Sequence, residues 1–171
     1  LKLAPYTVFG RFDLETVIDA ERNVGMHLAV PRALSGRREE LRAWLERSAG
    51  AVAQYYGEFS IPHLLVVIAP VDGDAVTHGR TLGNGGASSV VWVGRDVKAE
   101  SLEQDWVLPH ELVHTTIPSV GEDHRWFEEG VATYVEGVAR AAAGARPEEA
   151  FWGDLFEGLP KGLPHRGDRG L

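Results

Sequence analysis

The chain has 171 residues, of which 44% are hydrophobic and 25% charged, and this composition is typical of one globular domain with a sizeable core. Its formal charge of -8 and the absence of a Lys/Arg-rich block argue against nucleic acid as a partner. No cysteine is present, so disulfides, thiolate zinc ligands and cysteine nucleophiles are excluded, and any metal must be held by His, Asp or Glu. No apolar run approaches the roughly 20 residues of a membrane span.

The first hundred residues predict a sheet with one long helix. The runs 6–12 ("YTVFGRF") and 26–30 ("MHLAV") favour strands. A long amphipathic helix ending at Gly57 follows, because apolar residues recur at steps of three and four, namely Leu41, Trp44, Leu45, Val52 and Tyr56. The continuous apolar run 63–70 predicts a buried strand, and 87–94 ("ASSVVWVG") predicts another, preceded by the glycine-rich loop "GRTLGNGG".

A third region, "AESLEQDWVLPHELVHTTIP", predicts one helix with a proline inside it. Ser101 and Gln104 fit a capping box, which places the helix start near 101, and Pro118 favours an end near Ile117. Pro109 then falls in the helix interior, where it would remove one backbone hydrogen bond at a cost of about 3 kcal/mol. We therefore expect a kink at this proline.

The segment "HELVH" in this helix carries the pattern of a zinc site. His110 and His114 are four residues apart, so they lie on one helix face with their β-carbons about 6 Å apart, a separation at which two imidazoles can share one zinc ion. Glu111 lies beside the pair and can reach a water on the metal without ligating the metal itself, which is the geometry of a general base.

A further helix supplies candidates for the missing third ligand. The stretch "EDHRWFEEGVATYVEGVARAAAG" predicts a helix capped by Asp123 that runs to about Ala143. It contains Glu128 and Glu129, followed by Gly130, which we expect to let the two helices approach each other. Helical geometry separates the two glutamates only weakly, although it favours Glu129.

"HELVH" followed by "WFEEGVATYVE" resembles the gluzincin metallopeptidases of the thermolysin-like clan, and most closely their aminopeptidase-N-like and glycyl-aminopeptidase-like branches. The resemblance covers residues 107–137, about a fifth of the chain. In those branches the glutamate directly before the glycine is a metal ligand, which implies Glu129. The family also implies an edge strand above the cleft that pairs with substrate backbone. By sequence position this strand would be 87–94.

The resemblance also implies where other site residues should lie. Gly86, Ala87 and Ser88 would border the substrate cleft, in the place where the aminopeptidase-N-like branch has a glutamate that grips a free amino terminus. None of these three residues is a glutamate, so the sequence does not indicate whether the protein would be an exopeptidase. By its position one turn after Glu129, Thr133 could hydrogen-bond a ligand histidine or could equally be an exposed helical threonine.

Gluzincins use a tyrosine or histidine, usually well after the glutamate ligand, to stabilise the oxyanion. After the glutamate pair this sequence has only Tyr134, about 140° around the same helix from Glu129, and His165 near its end. The expectation is that a C-terminal helical lobe carrying this residue is missing or truncated. The chain also begins with Leu, which suggests a soluble, exported domain that has lost an N-terminal segment.

Together with the predicted elements, the resemblance implies an α+β gluzincin catalytic domain in which a mixed β-sheet packs on the HExxH helix and the glutamate-ligand helix. We expect one domain over 1–171, with a sheet-rich part over 1–100, two zinc-ligand helices over 101–144 and the start of a C-terminal part over 145–171. The expected function is zinc-dependent hydrolysis of peptides or proteins, with one Zn²⁺ ion. The alternative is an inactive or incomplete zinc-binding domain that serves as a peptide- or protein-binding module.

Overall fold

The computed structural model describes residues 8–19, 24–59, 61–82 and 87–163. These residues form an α+β fold with one mixed five-stranded sheet. The strands are β1 Phe12–Asp19, β2 Val24–Pro31, β3 His63–Val71, β4 Val76–Leu82 and β5 Ala87–Gly94. The α-helices are α1 Arg38–Tyr56, α2 Ala99–Glu103, α3 Val107–His114, α4 Arg125–Ala142 and α5 Glu148–Gly158. Three short 3₁₀ helices lie at Arg32–Arg37, Glu122–His124 and Leu159–Gly162.

The sheet has the strand order β1-β2-β3-β5-β4. Strands β2, β3 and β5 are parallel, whereas β1 and β4 run antiparallel to their neighbours and form the two edges. The predictions of strands at 63–70 and 87–94 are therefore confirmed, and "MHLAV" lies within β2. The prediction for 6–12 is wrong over residues 8–11, because β1 begins only at Phe12, and residues 6 and 7 lie outside the described part of the chain.

The prediction that 87–94 is the edge strand is also wrong. This strand, β5, is hydrogen-bonded to β3 on one side and to β4 on the other, so its backbone has no free edge along the paired residues. The edge is β4, whose second half falls in the predicted loop "GRTLGNGG". Its segment "HGRTL" is mostly polar, contains a glycine and lacks a branched apolar run, so it gives no local strand signal. Residues 83–86 of that loop lie outside the described part of the chain.

The helices cover one face of the sheet. On β3, Leu64, Val66 and Ile68 are buried and alternate with more exposed neighbours, as expected for a strand with one covered face. Helix α1 has the predicted amphipathic pattern, with its apolar face buried, and it contacts α3 and α4. It ends at Gly57, whose φ of 86° suits a residue without a side chain.

The predicted long helix around Pro109 is two helices. Helix α2 ends at Glu103, and α3 begins at Val107, so the capping box starting at Ser101 is not the start of the histidine-bearing helix. Pro109 is the third residue of α3, where a backbone N–H has no intrahelical acceptor, and the missing donor costs nothing there. The predicted kink is therefore wrong, because the chain breaks the helix before the proline instead of bending at it.

Helix α4 ends at Ala142, within one residue of the prediction, but Asp123 does not cap it. Asp123 lies in the preceding 3₁₀ turn, and the N-cap position is taken by His124 without a side-chain hydrogen bond. Helix α5 was not predicted from the sequence, and it packs on α4 through the buried Phe151 ring. Among the described residues, no helix is long and apolar enough to cross a membrane.

Candidate metal centre

Helix α3 brings the two histidines of "HELVH" together on one face. His110 is buried with 8% of its surface exposed, and His114 is partly buried. Their Nε2 atoms lie 3.2 Å apart, and the rings meet edge to face with centroids 4.9 Å apart. Both imidazoles therefore point the same nitrogen at one location, as the spacing of four residues in a helix allows.

Helix α4 places Glu129 against this pair. Its Oε2 atom lies 3.2 Å from His110 Nε2 and 3.5 Å from His114 Nε2. Its second oxygen, Oε1, accepts a hydrogen bond from Arg125 Nε at 3.2 Å, one turn earlier on the same helix. Burial raises the pKa of Glu129, but the charge of His114 and the hydrogen bonds from Arg125 and His110 outweigh it, so this pKa is lowered overall.

The distances among these donors fit a zinc ion. Atoms bound to one tetrahedral zinc at about 2.0–2.1 Å lie roughly 3.3 Å from one another. The three separations at the site are 3.2, 3.2 and 3.5 Å. Two imidazole nitrogens and one carboxylate oxygen are also a ligand set that catalytic zinc takes in proteins. His110, His114 and Glu129 could therefore hold one zinc ion.

The neighbouring Glu128 points elsewhere. Its Oε1 accepts a hydrogen bond from the backbone N–H of Val120, in the segment between α3 and α4. The structure thus separates the two glutamates that helical geometry left close to equivalent. The expected role of Gly130 is wrong, because it is exposed and an added β-carbon there would meet no atom within 4 Å. A close approach between α4 and a different helix, α5, occurs at Gly137, where an added β-carbon would lie 2.2 Å from the Phe151 ring.

Glu111 extends from α3 toward the edge strand β4. It is buried, with 7% of its surface exposed. Its Oε2 accepts a hydrogen bond from Thr81 Oγ1 at 2.7 Å, and its side chain passes over Gly79, where a β-carbon would lie 2.4 Å from Glu111 Cγ. Sequence reasoning missed Gly79 and Thr81, because neither the order of the strands nor the partner of β4 can be read from local patterns.

A cleft of about 1130 Å³ lies over these residues. Strand β4 forms one wall, and α3, the segment after it and the start of α4 form the other. Of the cleft residues expected from the sequence, Ala87 and the exposed Thr133 line it. Ser88 pairs with Leu82 in the sheet, and Gly86 lies outside the described residues. Nδ1 of His110 has no hydrogen-bond partner among the residues that the structure describes, so Thr133 does not bind that atom.

Of the two oxyanion candidates named from the sequence, the structure describes one, and that residue is not brought to this cleft. Tyr134 does not line it, and its ring packs at 6.2 Å from the Phe151 ring of α5. His165 lies outside the described residues. Trp126 and Phe127, near the start of α4, are both half exposed.

Asp105 anchors the beginning of the histidine helix. Its carboxylate accepts hydrogen bonds from the backbone N–H groups of Val107 and Leu108, each at 3.0 Å, and from Trp44 Nε1 of α1 at 2.9 Å. Burial raises the pKa of Asp105 above its ordinary value, although these hydrogen bonds oppose the shift. The sequence did carry a signal for this helix start, because Asp105 is an acidic residue just before a first turn that contains Pro109.

The fold is similar to that of solved zinc metallopeptidases. An aminopeptidase N family protein from Idiomarina loihiensis matches with a TM-score of 0.60 and 15% identity, over 83% of this chain and 27% of that one. An M1 zinc metallopeptidase from Deinococcus radiodurans matches with a TM-score of 0.54 and 19% identity, over 92% of this chain and 34% of that one. A variant of the Deinococcus protein also gives 0.54.

The sequence itself has no comparable match. No model of a known protein family matches it, and a comparison with curated proteins finds none at a significant level. The chain spans about a third or less of the length of the two solved structures, at 34% and 27%. At these identities the likeness concerns the fold alone: residues of this chain adopt the fold found in part of M1 zinc metallopeptidases.

Proposed function

We propose that this chain forms the metal centre of a zinc-dependent peptidase of the gluzincin type, with His110, His114 and Glu129 as the ligands. The observation that carries the proposal is the triangle of ligand atoms from two helices, with sides of 3.2, 3.2 and 3.5 Å. The shared fold with M1 zinc metallopeptidases supports it. Substrates would be peptides or proteins.

Each residue then has one chemical role. When bound, zinc lowers the pKa of water toward 7 and polarises the carbonyl of the substrate. Glu111 takes the proton of the attacking water and delivers it to the nitrogen of the leaving amine. Arg125 donates to the Glu129 carboxylate and holds one of its oxygens away from the histidines, which orients the other toward them.

The side of β4 that faces away from β5 pairs with no strand among the described residues, and it is the proposed track for substrate backbone. One side of β4 is paired with β5, and residues 77–82 of this strand line the cleft. An extended peptide can add to such an edge through backbone hydrogen bonds. This role replaces the one expected for 87–94, which is an internal strand of the sheet.

A zinc-binding module without turnover is the second candidate. One observation favours it: among the described residues that line the cleft there is no tyrosine, so one of the usual oxyanion donors of gluzincins is not in place. Peptide binding along β4 needs no such donor. The two functions differ in turnover, and both require the metal.

The test begins with metal content and then removes the base. Purified protein should contain about one zinc per chain, in accordance with one three-ligand site, and should cleave a mixture of short peptides, with new termini detected by mass spectrometry. Glu111→Gln should retain the zinc and lose at least about 100-fold in cleavage rate. Glu103→Gln, on the exposed side of α2, is the matched control and should behave as the wild type.

The outcomes separate the candidates. Absence of bound zinc under metal-replete conditions contradicts both functions. Bound zinc with peptide binding but no cleavage favours the module without turnover. Cleavage that survives in Glu111→Gln removes this glutamate from the mechanism.

A further inference from the structure

Two hydroxyl groups of the sheet form a chain that ends on the proposed general base. Thr81 and Ser89 lie directly opposite each other on β4 and β5, and their Oγ atoms are 2.9 Å apart. Thr81 Oγ1 in turn lies 2.7 Å from Glu111 Oε2 and 2.8 Å from the backbone oxygen of Glu111. Ser89 is fully buried, so its hydroxyl must be satisfied inside the protein.

The direction of these hydrogen bonds follows from the chemistry of the groups. The carboxylate and the backbone carbonyl of Glu111 can only accept, so the single proton of the Thr81 hydroxyl is donated to Glu111. The Thr81 oxygen is then an acceptor toward Ser89, which donates its own proton. In this row of hydrogen bonds Ser89 therefore donates to Thr81, and Thr81 donates to Glu111.

Gly79 completes this contact between strand and helix. Residues two apart on a strand face the same side, so Gly79 and Thr81 both face α3. A β-carbon at Gly79 would lie 2.4 Å from Cγ and 2.8 Å from Oε1 of Glu111, which is too close for any side chain. The glycine lets the carboxylate lie against the strand, and the threonine holds it there.

We propose that Thr81, supported by Ser89, is a positioning residue that fixes the Glu111 carboxylate against the edge strand. The inference rests on the proposed function, because it assigns a reason for holding the base. With Oε2 occupied by the threonine, Oε1 is the oxygen that takes the proton from water. Strand β4 would then both bind the substrate backbone and hold the Glu111 carboxylate, so the distance between substrate and base would be fixed by one strand.

The test compares variants that keep the strand but change the hydroxyl. Thr81→Val preserves the β-branched shape and removes the donor, and it should lower kcat by roughly 10- to 100-fold, with KM and zinc affinity within about twofold of the wild type. Thr81→Ser restores the hydroxyl and should recover activity to within about threefold. Thr16→Val makes the same change on the opposite edge strand β1, where Thr16 contacts His27, and should leave kcat unchanged.

Ser89→Ala provides a second, independent readout. It removes the donor to Thr81 and should lower kcat less than Thr81→Val, and the two changes together should cost no more than Thr81→Val alone, because they break one chain. Full additivity of the two losses would overturn the linked arrangement. Equal kcat in wild type and Thr81→Val would overturn the proposal altogether.

Crystal structures of the wild type and Thr81→Val decide the question without turnover. The carboxylate of Glu111 should move by about 1 Å or more in the variant, a displacement large enough to impair a reaction. An unmoved carboxylate would overturn the positioning role. If the wild type binds zinc but cleaves nothing, the proposed peptidase function fails, while the displacement still supports or overturns the role of Thr81.

Discussion

The carboxylate of Glu129 on α4 lies 3.2 Å from the Nε2 atom of His110 on α3, although the two residues are 19 positions apart. Nothing in either helix alone requires this contact. It depends on how α3 and α4 pack against each other beneath the sheet. The adjacent Glu128 is turned toward the backbone of Val120. Two neighbouring glutamates on one helix thus have separate partners, and only one of them reaches the histidine pair.

We predict that Glu129→Gln weakens zinc binding and that Glu128→Gln does not. Loss of a group that merely supports a metal ligand costs about 10- to 100-fold in affinity, so loss of a charged ligand should cost more than about 100-fold. Titration of the metal-free proteins with zinc, followed by calorimetry, measures both constants. A larger loss of zinc affinity in Glu128→Gln than in Glu129→Gln would show that Glu128, and not Glu129, is the metal ligand.

Gly79→Ala should impair catalysis and leave the metal in place. The added β-carbon would lie 2.4 Å from Glu111 Cγ, so the glutamate side chain or the strand must move. A misplacement of about 1 Å at a reacting group can cost around 100-fold in rate. Rates of peptide cleavage and zinc content measure the two effects separately. Gly36→Ala is the control, since a β-carbon there meets no described atom within 4 Å. If Gly79→Ala were as active as the wild type, the close packing of Glu111 on Gly79 would be contradicted.

Asp105→Asn should alter how stability depends on pH. Burial raises the pKa of Asp105 above its ordinary value of 3.8, so the folded state holds this proton more tightly than the unfolded state. The free energy of unfolding of the wild type, relative to the variant, should therefore be highest below pH 3.8 and fall as the pH rises through the raised pKa. Urea unfolding of both proteins across this pH range measures the difference. A difference that grows with pH would contradict the predicted sign.

The two glycines of α4 should respond in opposite ways to alanine. Gly130→Ala should raise the free energy of unfolding by about 0.5–1 kcal/mol, because the site is exposed and alanine favours a helix. Gly137→Ala should lower it by about 1–3 kcal/mol, because its β-carbon would overlap the Phe151 ring. Thermal or chemical unfolding measures both. Weaker zinc binding in Gly130→Ala would instead support the role suggested by the sequence, in which this glycine lets the two ligand helices approach each other.

Local periodicity was sufficient for several elements of the fold. The three- and four-residue spacing from Leu41 to Tyr56 predicted α1 and its end at Gly57. The apolar runs at 63–70 and 87–94 predicted β3 and β5. Local periodicity failed at β4, where five of the seven residues are polar or glycine. It also failed at the break between α2 and α3, which depends on Asp105 and its hydrogen bond to Trp44 from another helix.

By itself the sequence determined that His110 and His114 share one helix face, because residues four apart in a helix are neighbours whatever surrounds the helix. It also placed Glu111 beside them for the same reason. Only the tertiary structure decided that β4, and not β5, is the edge of the sheet, and that Thr81 meets Glu111 across 30 residues of chain. Strand order and helix packing join segments distant in sequence, so no local spacing encodes them.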